Sequence, residues 1–152
     1  MVFHIIPKSN ILGGGIAVAR VLVIEDEPNI ALVLKIALSD EGHEVTTVPN
    51  GRAGLEQLER APAPEIVFSD LYMPGISGRA VIETMHANPA LKDIPVVIIT
   101  GSMPGLNDYP PKDSYKALLS KPFDLEEIIK MVEVLTKAGK QFGTLSSTKL
   151  AV

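Results

Sequence analysis

Four places in this chain carry side chains suited to joint chemistry: Glu25-Asp26, Asp70, Thr100 and Lys121. Each closes or directly follows a short apolar run, and Met73-Pro74-Gly75 turns the chain just after Asp70. Taken alone, an Asp before a turn is an ordinary turn or capping residue. Open α/β sheets, however, gather their chemistry at the carboxyl edge of the strands, where four such ends converge on one point. Asp70 is therefore the first candidate for a reacting group. Three carboxylates at one edge repel, so a cation binds, one carboxyl takes up a proton, or the loops splay.

The elements that must hold these groups follow from hydrophobic patterning. Arg20 to Ile24 is β-branched and uniformly apolar, as a strand buried on both faces should be. Glu25-Asp26-Glu27 ends it, and Pro28 suits the first turn of a helix whose Ile30, Val33, Leu34 and Ala37 recur at helical spacing. Glu41-Gly42 closes that helix. Glu44 to Val48 is a more polar strand, expected at a sheet edge. Asn50 caps a helix carrying Ala53, Leu55 and Leu58, which the Ala-Pro-Ala-Pro run at 61–64 terminates. The strand leading to Asp70 comes third.

Ser77-Gly78 then begins a helix bearing Val81, Ile82 and Met85, and Asn88-Pro89 breaks it. Pro95 to Thr100 is a fourth strand. Between Gly101 and Lys112 the alternation weakens, because Pro104, Pro110 and Pro111 forbid a regular helix, and only Lys112 to Lys116 is left for a turn. Ala117 to Ser120 is a fifth strand. Asp124 caps a last helix with Leu125, Ile128, Ile129, Val132 and Leu135 on one face, and Gly139 is its expected stop. Strands alternating with helices imply a doubly wound parallel sheet with right-handed crossovers.

Composition bounds the rest. A chain of 152 residues fits one domain with tails better than two domains. Its net charge of −4 and scattered Lys and Arg argue against a nucleic-acid footprint. With no cysteine there is neither a disulfide framework nor a thiolate metal site. His4, His43 and His86 lack metal-ligand spacing and read as surface or edge residues. The longest apolar runs, such as Val96-Val97-Ile98-Ile99, are far short of the roughly 20 residues a membrane helix needs, so a soluble, cytoplasmic protein is expected. Residues 1–19 read as a flexible leader: Ala17-Val18-Ala19 looks like a cleavage site, but Pro7, Lys8 and Asn10 stand where an apolar stretch should be. Residues 139–152 are small, polar and aperiodic, and a disordered tail is expected.

Over roughly residues 20–138, the chain resembles the receiver domain of two-component response regulators, of the chemotaxis type, either standing alone or as part of a longer protein. The resemblance rests on Glu25-Asp26, on Asp70 with Met73-Pro74-Gly75, on Thr100-Gly101 and on Lys121-Pro122-Phe123. From Asp26 through Asp70 and Thr100 to Lys121, the intervals are 44, 30 and 21 residues. Any one piece is weak; all four in order are highly specific. The resemblance implies a flavodoxin-like five-stranded parallel sheet in the order 2-1-3-4-5, here with an irregular or shortened fourth helix.

The resemblance also implies roles. Asp70 would be the phosphoacceptor, Lys121 a cationic contact to the phosphoryl group, and Thr100 a hydroxyl donor to the same oxygens. Magnesium, a hard ion wanting oxygen ligands, would be held by Asp26 and Asp70 directly, by Glu25 through water and by the backbone carbonyl of Tyr72. Implied partners are a sensor histidine kinase or histidine phosphotransfer protein and a downstream protein target. No DNA-binding domain or membrane segment is expected within this sequence.

Two departures bear on output. Leu118 stands three residues before Lys121, where the family carries Tyr or Phe, and the proline-rich 103–111 segment replaces a regular fourth helix. Both leave room for a phosphorylation-independent pseudo-receiver that serves as a protein-binding module. An aspartyl-phosphate phosphohydrolase ranks below it, because Tyr72 occupies the place where haloacid-dehalogenase-type phosphatases carry a second Asp.

Overall fold

The computed structural model describes residues 18–101, 105 and 107–136. Five strands, β1 (Arg20–Ile24), β2 (Glu44–Val48), β3 (Ile66–Ser69), β4 (Val96–Thr100) and β5 (Ala117–Ser120), form one sheet in the order β2-β1-β3-β4-β5. Every pairing is parallel. The helices are α1 (Pro28–Asp40), α2 (Gly51–Leu58), α3 (Gly78–Ala87) and α4 (Leu125–Leu135). In the crossover from β4 to β5 the described residues form a single 3-10 turn, Lys112–Ser114, where the prolines leave space for nothing longer.

The side-chain period of two splits the strands between two cores. Leu22, Ile24, Val67, Val96 and Ile98 face α2 and α3, packing on Leu58, Val81, Ile82 and Met85. Val21, Val23, Ile66, Phe68, Val97 and Ile99 face α1 and α4, packing on Leu34, Leu38, Ile128 and Val132. The three central strands are thus apolar on both sides. The outer strands β2 and β5 have no fully buried position and mix half-buried with exposed residues, as sheet edges do.

Several local readings hold in detail. Asn50, Ser77 and Asp124 each cap a helix, accepting from the backbone N–H of Ala53, Ala80 and Glu126. Gly42 takes a φ of 93° just past α1, the left-handed conformation expected of a terminating glycine.

Other readings need correction. On α1 the buried residues are Leu34 and Leu38, with Ile30 packed alongside, whereas Val33 is 44% exposed. The helix is apolar nearly all round, so spacing alone does not choose its inward face. α4 ends at Leu135, before Gly139: Thr136 takes extended backbone, and its Oγ1 and N–H both donate to the Val132 carbonyl. Gly139 lies outside the described residues, as do His4, nearly all of the expected leader and the tail. Ala19, assigned to that leader, is fully buried; its carbonyl accepts from Glu44 N–H and its N–H donates to His43. His43 is accordingly a buried residue.

Candidate functional site

The order β2-β1-β3-β4-β5 reverses direction between β1 and β3, the point at which such sheets bind their ligands. Ile24 pairs with Ser69 at this junction, so Glu25 and Asp70 leave adjacent strand ends side by side. Backbone bonds from Asp70 N–H to the Ile24 carbonyl (3.1 Å) and from Glu25 N–H to the Val48 carbonyl (3.0 Å) fix both strand ends. Thr100 ends β4 opposite Ser120, and Lys121 N–H donates to the Thr100 carbonyl at 2.9 Å.

Lys121 must reach inward across β4 to meet the acids, since neighbouring strands lie about 4.8 Å apart and it starts at the sheet edge. A lysine has the length to do so. Its Nζ donates to Asp70 Oδ2 at 2.8 Å, Glu25 Oε1 at 3.0 Å and Glu27 Oε1 at 3.1 Å. Asp70 Oδ1 accepts from the Tyr72 N–H at 3.1 Å, and Glu25 Oε1 from the Glu27 N–H at 3.1 Å. Carboxylate oxygens of Glu25, Asp26, Glu27 and Asp70 all lie within 4.8 Å of one another.

Burial raises the electrostatic stakes. Glu25 is 3% exposed and Asp70 6%. Burial pushes the Glu25 carboxyl above its ordinary value, opposed by the bond from Lys121. Burial alone would lower the Lys121 pKa, but its bonds to Asp70, Glu25 and Glu27 outweigh this and raise it. Lys121 is therefore charged throughout the neutral range. Beside it, Thr100 is 3% exposed and its Oγ1 has no hydrogen-bond partner, a rarity for a buried hydroxyl.

The donor set suits a hard divalent cation. Carboxylate oxygens gathered in one small sphere are hard ligands, and among the described residues the cluster offers no nitrogen or sulfur donor.

Comparison with known proteins agrees with this arrangement. The family model described as "Response regulator receiver domain" matches residues 21–133. The chain belongs to the response regulator receiver family. Its relatives include the sensory transduction protein RegX3 of Mycobacterium tuberculosis, 32% identical over 129 residues covering 78% of this chain and 51% of that protein. The chain thus spans about half the length of that relative. Among solved structures, the chemotaxis protein CheY4 of Vibrio cholerae is 26% identical with a TM-score of 0.70, covering 78% of this chain and 99% of that one. The response regulator TrrA of Thermotoga maritima, solved in complex with Mg(2+)-BeF, is 29% identical with a TM-score of 0.65, covering 77% of this chain and 98% of that one.

Within this receiver fold the residues singled out from sequence, Glu25, Asp26, Asp70, Thr100 and Lys121, do meet at one edge. Tyr72 joins them through its N–H, and its side chain turns outward, 43% exposed. Leu118 lies 36% exposed on β5, paired with Ile98. Three residues escaped the sequence reading. Glu27 shares Lys121 with the other acids, and its place as third in an acidic run was the available signal. Asp108 accepts the Tyr72 phenol at 2.7 Å, a contact without sequence signature. Gly78 leaves no room for a side chain, since a Cβ there would lie 1.7 Å from the Asp70 carbonyl oxygen.

Proposed function

We propose that this receiver accepts a phosphoryl group on Asp70 from the phosphohistidine of a sensor histidine kinase or histidine phosphotransfer protein, and that the modification switches a protein-interaction surface in the cytoplasm. The single observation that carries the reading is the pairing of a lysine-bound, buried Asp70 with the unpartnered hydroxyl of Thr100. An Asp70 carboxylate oxygen attacks phosphorus, the new O–P bond forms as the donor's P–N bond breaks, and the departing imidazole keeps the electron pair and takes up a proton. Carboxylates are an established class of nucleophile for this transfer.

Asp26 and Asp70, with Glu25 through water and the Tyr72 carbonyl, would hold Mg2+. When bound, the ion offsets the repulsion among the acids and neutralises charge on the transferring oxygens. Lys121, already on Asp70 Oδ2, shifts one bond to the phosphoryl group. The Thr100 hydroxyl donates to another phosphoryl oxygen, ending its isolation. The phosphoryl adds roughly −1.5 to −2 charges, enough to draw that hydroxyl and the loop behind it inward.

Incubation with magnesium and a small acyl phosphate should add one acid-labile phosphoryl group by intact mass and none to Asp70→Asn. Labelling of the Asn variant would defeat the assignment. Two observations favour a second reading, a protein-binding module that works without phosphorylation: aliphatic Leu118 occupies the position of the family's aromatic reporter, and among the described residues no α-helix lies between β4 and β5. Backbone amide NMR with beryllofluoride separates the two, since a phospho-switch spreads shifts from the pocket to one face and a phosphorylation-independent module shows none beyond it.

A further inference from the structure

The chain enters β1 through a residue that an imidazole holds in place. Ala19 is 0% exposed; its N–H donates to His43 Nδ1 at 3.2 Å and its carbonyl accepts from the Glu44 N–H at 3.0 Å. His43 is itself 8% exposed and lies between α1 and β2, its own N–H donating to the Leu38 carbonyl at 3.2 Å. Ala19 packs in the core shared by α1 and α4, so both partners of the contact are out of water. Because Nδ1 accepts, the neutral ring carries its proton on Nε2. The parallel pairing of β1, β2 and β3 puts this corner at the amino edge of the sheet, at the opposite end from Asp70.

We propose that His43 is a pH-sensitive latch on the start of β1: protonation of its ring releases Ala19 while the rest of the sheet stays folded. An imidazolium donates from both nitrogens, so the acceptor of the Ala19 N–H becomes a second donor facing it. Burial denies both donors a water partner, and the contact can only open. The charged groups around the ring set the threshold. Burial disfavours the imidazolium, while Glu41 at the end of α1 and Glu65 ahead of β3 favour it. From β1, Arg20 is paired with Glu65 at 3.4 Å, and from β2 Glu44 is exposed. Burial prevails, so the latched ring binds its proton more weakly than the ordinary 6.5. The latch is therefore complete above pH 6.5 and weakens as the pH falls toward the lower value of the buried ring.

Amide hydrogen exchange by NMR on the full chain tests this, each rate being divided by the intrinsic rate at the same pH. Between about pH 7.5 and about pH 5.5, an open corner whose ring titrates at 6.5 gains roughly tenfold on a latched neutral ring. Protection of the Ala19 and Glu44 N–H groups should fall by that factor, and protection of Val81 and Ile82 in α3 should hold. His43→Gln supplies an acceptor that does not titrate and should keep Ala19 equally protected at both pH values. A long-range nitrogen–proton correlation of the wild-type ring, which needs no variant, should show the Nε2–H tautomer at about pH 7.5.

An Nδ1–H tautomer at that pH overturns the contact. Unchanged protection of Ala19 while the ring titrates overturns the release. Equal loss of protection in α3 means global unfolding and overturns the latch, and a tenfold loss that persists in His43→Gln removes His43 from it.

Discussion

Gly78→Ala puts the geometry of the site under direct strain. The added Cβ would sit 1.7 Å from the Asp70 carbonyl oxygen and 2.8 Å from the Leu71 Cα, both backbone atoms that no rotamer change can move aside. Reaching even a tight 3.0 Å contact requires the Asp70 carbonyl to retreat by about 1.3 Å. That carbonyl accepts the Ser69 hydroxyl, and Gly78 N–H itself bonds the Leu71 carbonyl, so the displacement is resisted from both sides. Overpacking of this kind costs roughly 1–3 kcal/mol. The opposing gain, replacing glycine by alanine in a helix, is at most about 1 kcal/mol and smaller in the first turn. Urea unfolding should therefore show net destabilisation. The functional loss should be larger than the stability loss, because a misplacement of about 1 Å can cost on the order of a hundredfold in rate. Gly54→Ala is the control: the three atoms nearest its Cβ all belong to the Ile24 side chain, the closest being the movable Cδ1 at 2.5 Å, and phosphoryl uptake should survive. Gly78→Ala with wild-type stability and undiminished uptake would refute the steric argument.

Lys121→Met leaves the buried carboxyls of Glu25 and Asp70 without their cation and should cost about 2–3 kcal/mol, the range for bonds to charged groups. Magnesium should restore much of this loss, and so should acid, since the Glu25 carboxyl is already held above its ordinary value and protonates more readily still; thermal melts with and without chelator measure both. Thr100→Val deletes a buried hydroxyl that has no partner and should stabilise the resting fold by about 1 kcal/mol, while beryllofluoride ceases to shift amides beyond the pocket. For His43, whose pKa burial lowers from 6.5 against smaller opposing effects of Glu41 and Glu65, the folded state binds fewer protons than the unfolded state. Its contribution is complete above pH 6.5 and is lost as the pH falls through the lower folded value; His43→Gln, which keeps an acceptor for the Ala19 N–H, should flatten that part of the pH–stability curve relative to wild type.

The sheet and the meeting of its strand ends were legible because their signals are local. Uniform apolar runs mark strands buried on both faces, and polar residues followed by Pro or Gly mark where each stops. Asn50, Ser77 and Asp124 announced their helices by the same logic. Periodicity failed on α1, where Leu32, Val33 and Ile36 are all more than 40% exposed although as apolar as the buried Leu34 and Leu38. Only the neighbouring sheet chooses between such faces. The link between Tyr72 and Asp108 spans 36 residues and joins two irregular loops, so no spacing rule reaches it. Gly78 read as a helix start, and its second constraint, the Asp70 carbonyl packed against it, exists only once β3 and α3 are side by side.

On the proposed function, the same residues explain why chemistry would fall at this edge of the sheet. Four carboxylates face a single ammonium group, and the ammonium is already shared three ways. The cluster is short of positive charge and favours a dication. Thr100 presents the complementary deficit, a buried hydroxyl at the end of β4 without a hydrogen-bond partner. A dication and a phosphoryl group arriving together would relieve both deficits, and neither alone does. Strain of this kind is costly in the resting fold, and the packing of α1 and α4 on one face and α2 and α3 on the other offsets it. Stability and readiness therefore pull in opposite directions at Thr100, which is why a single methyl-for-hydroxyl exchange is expected to strengthen the fold and disable the switch.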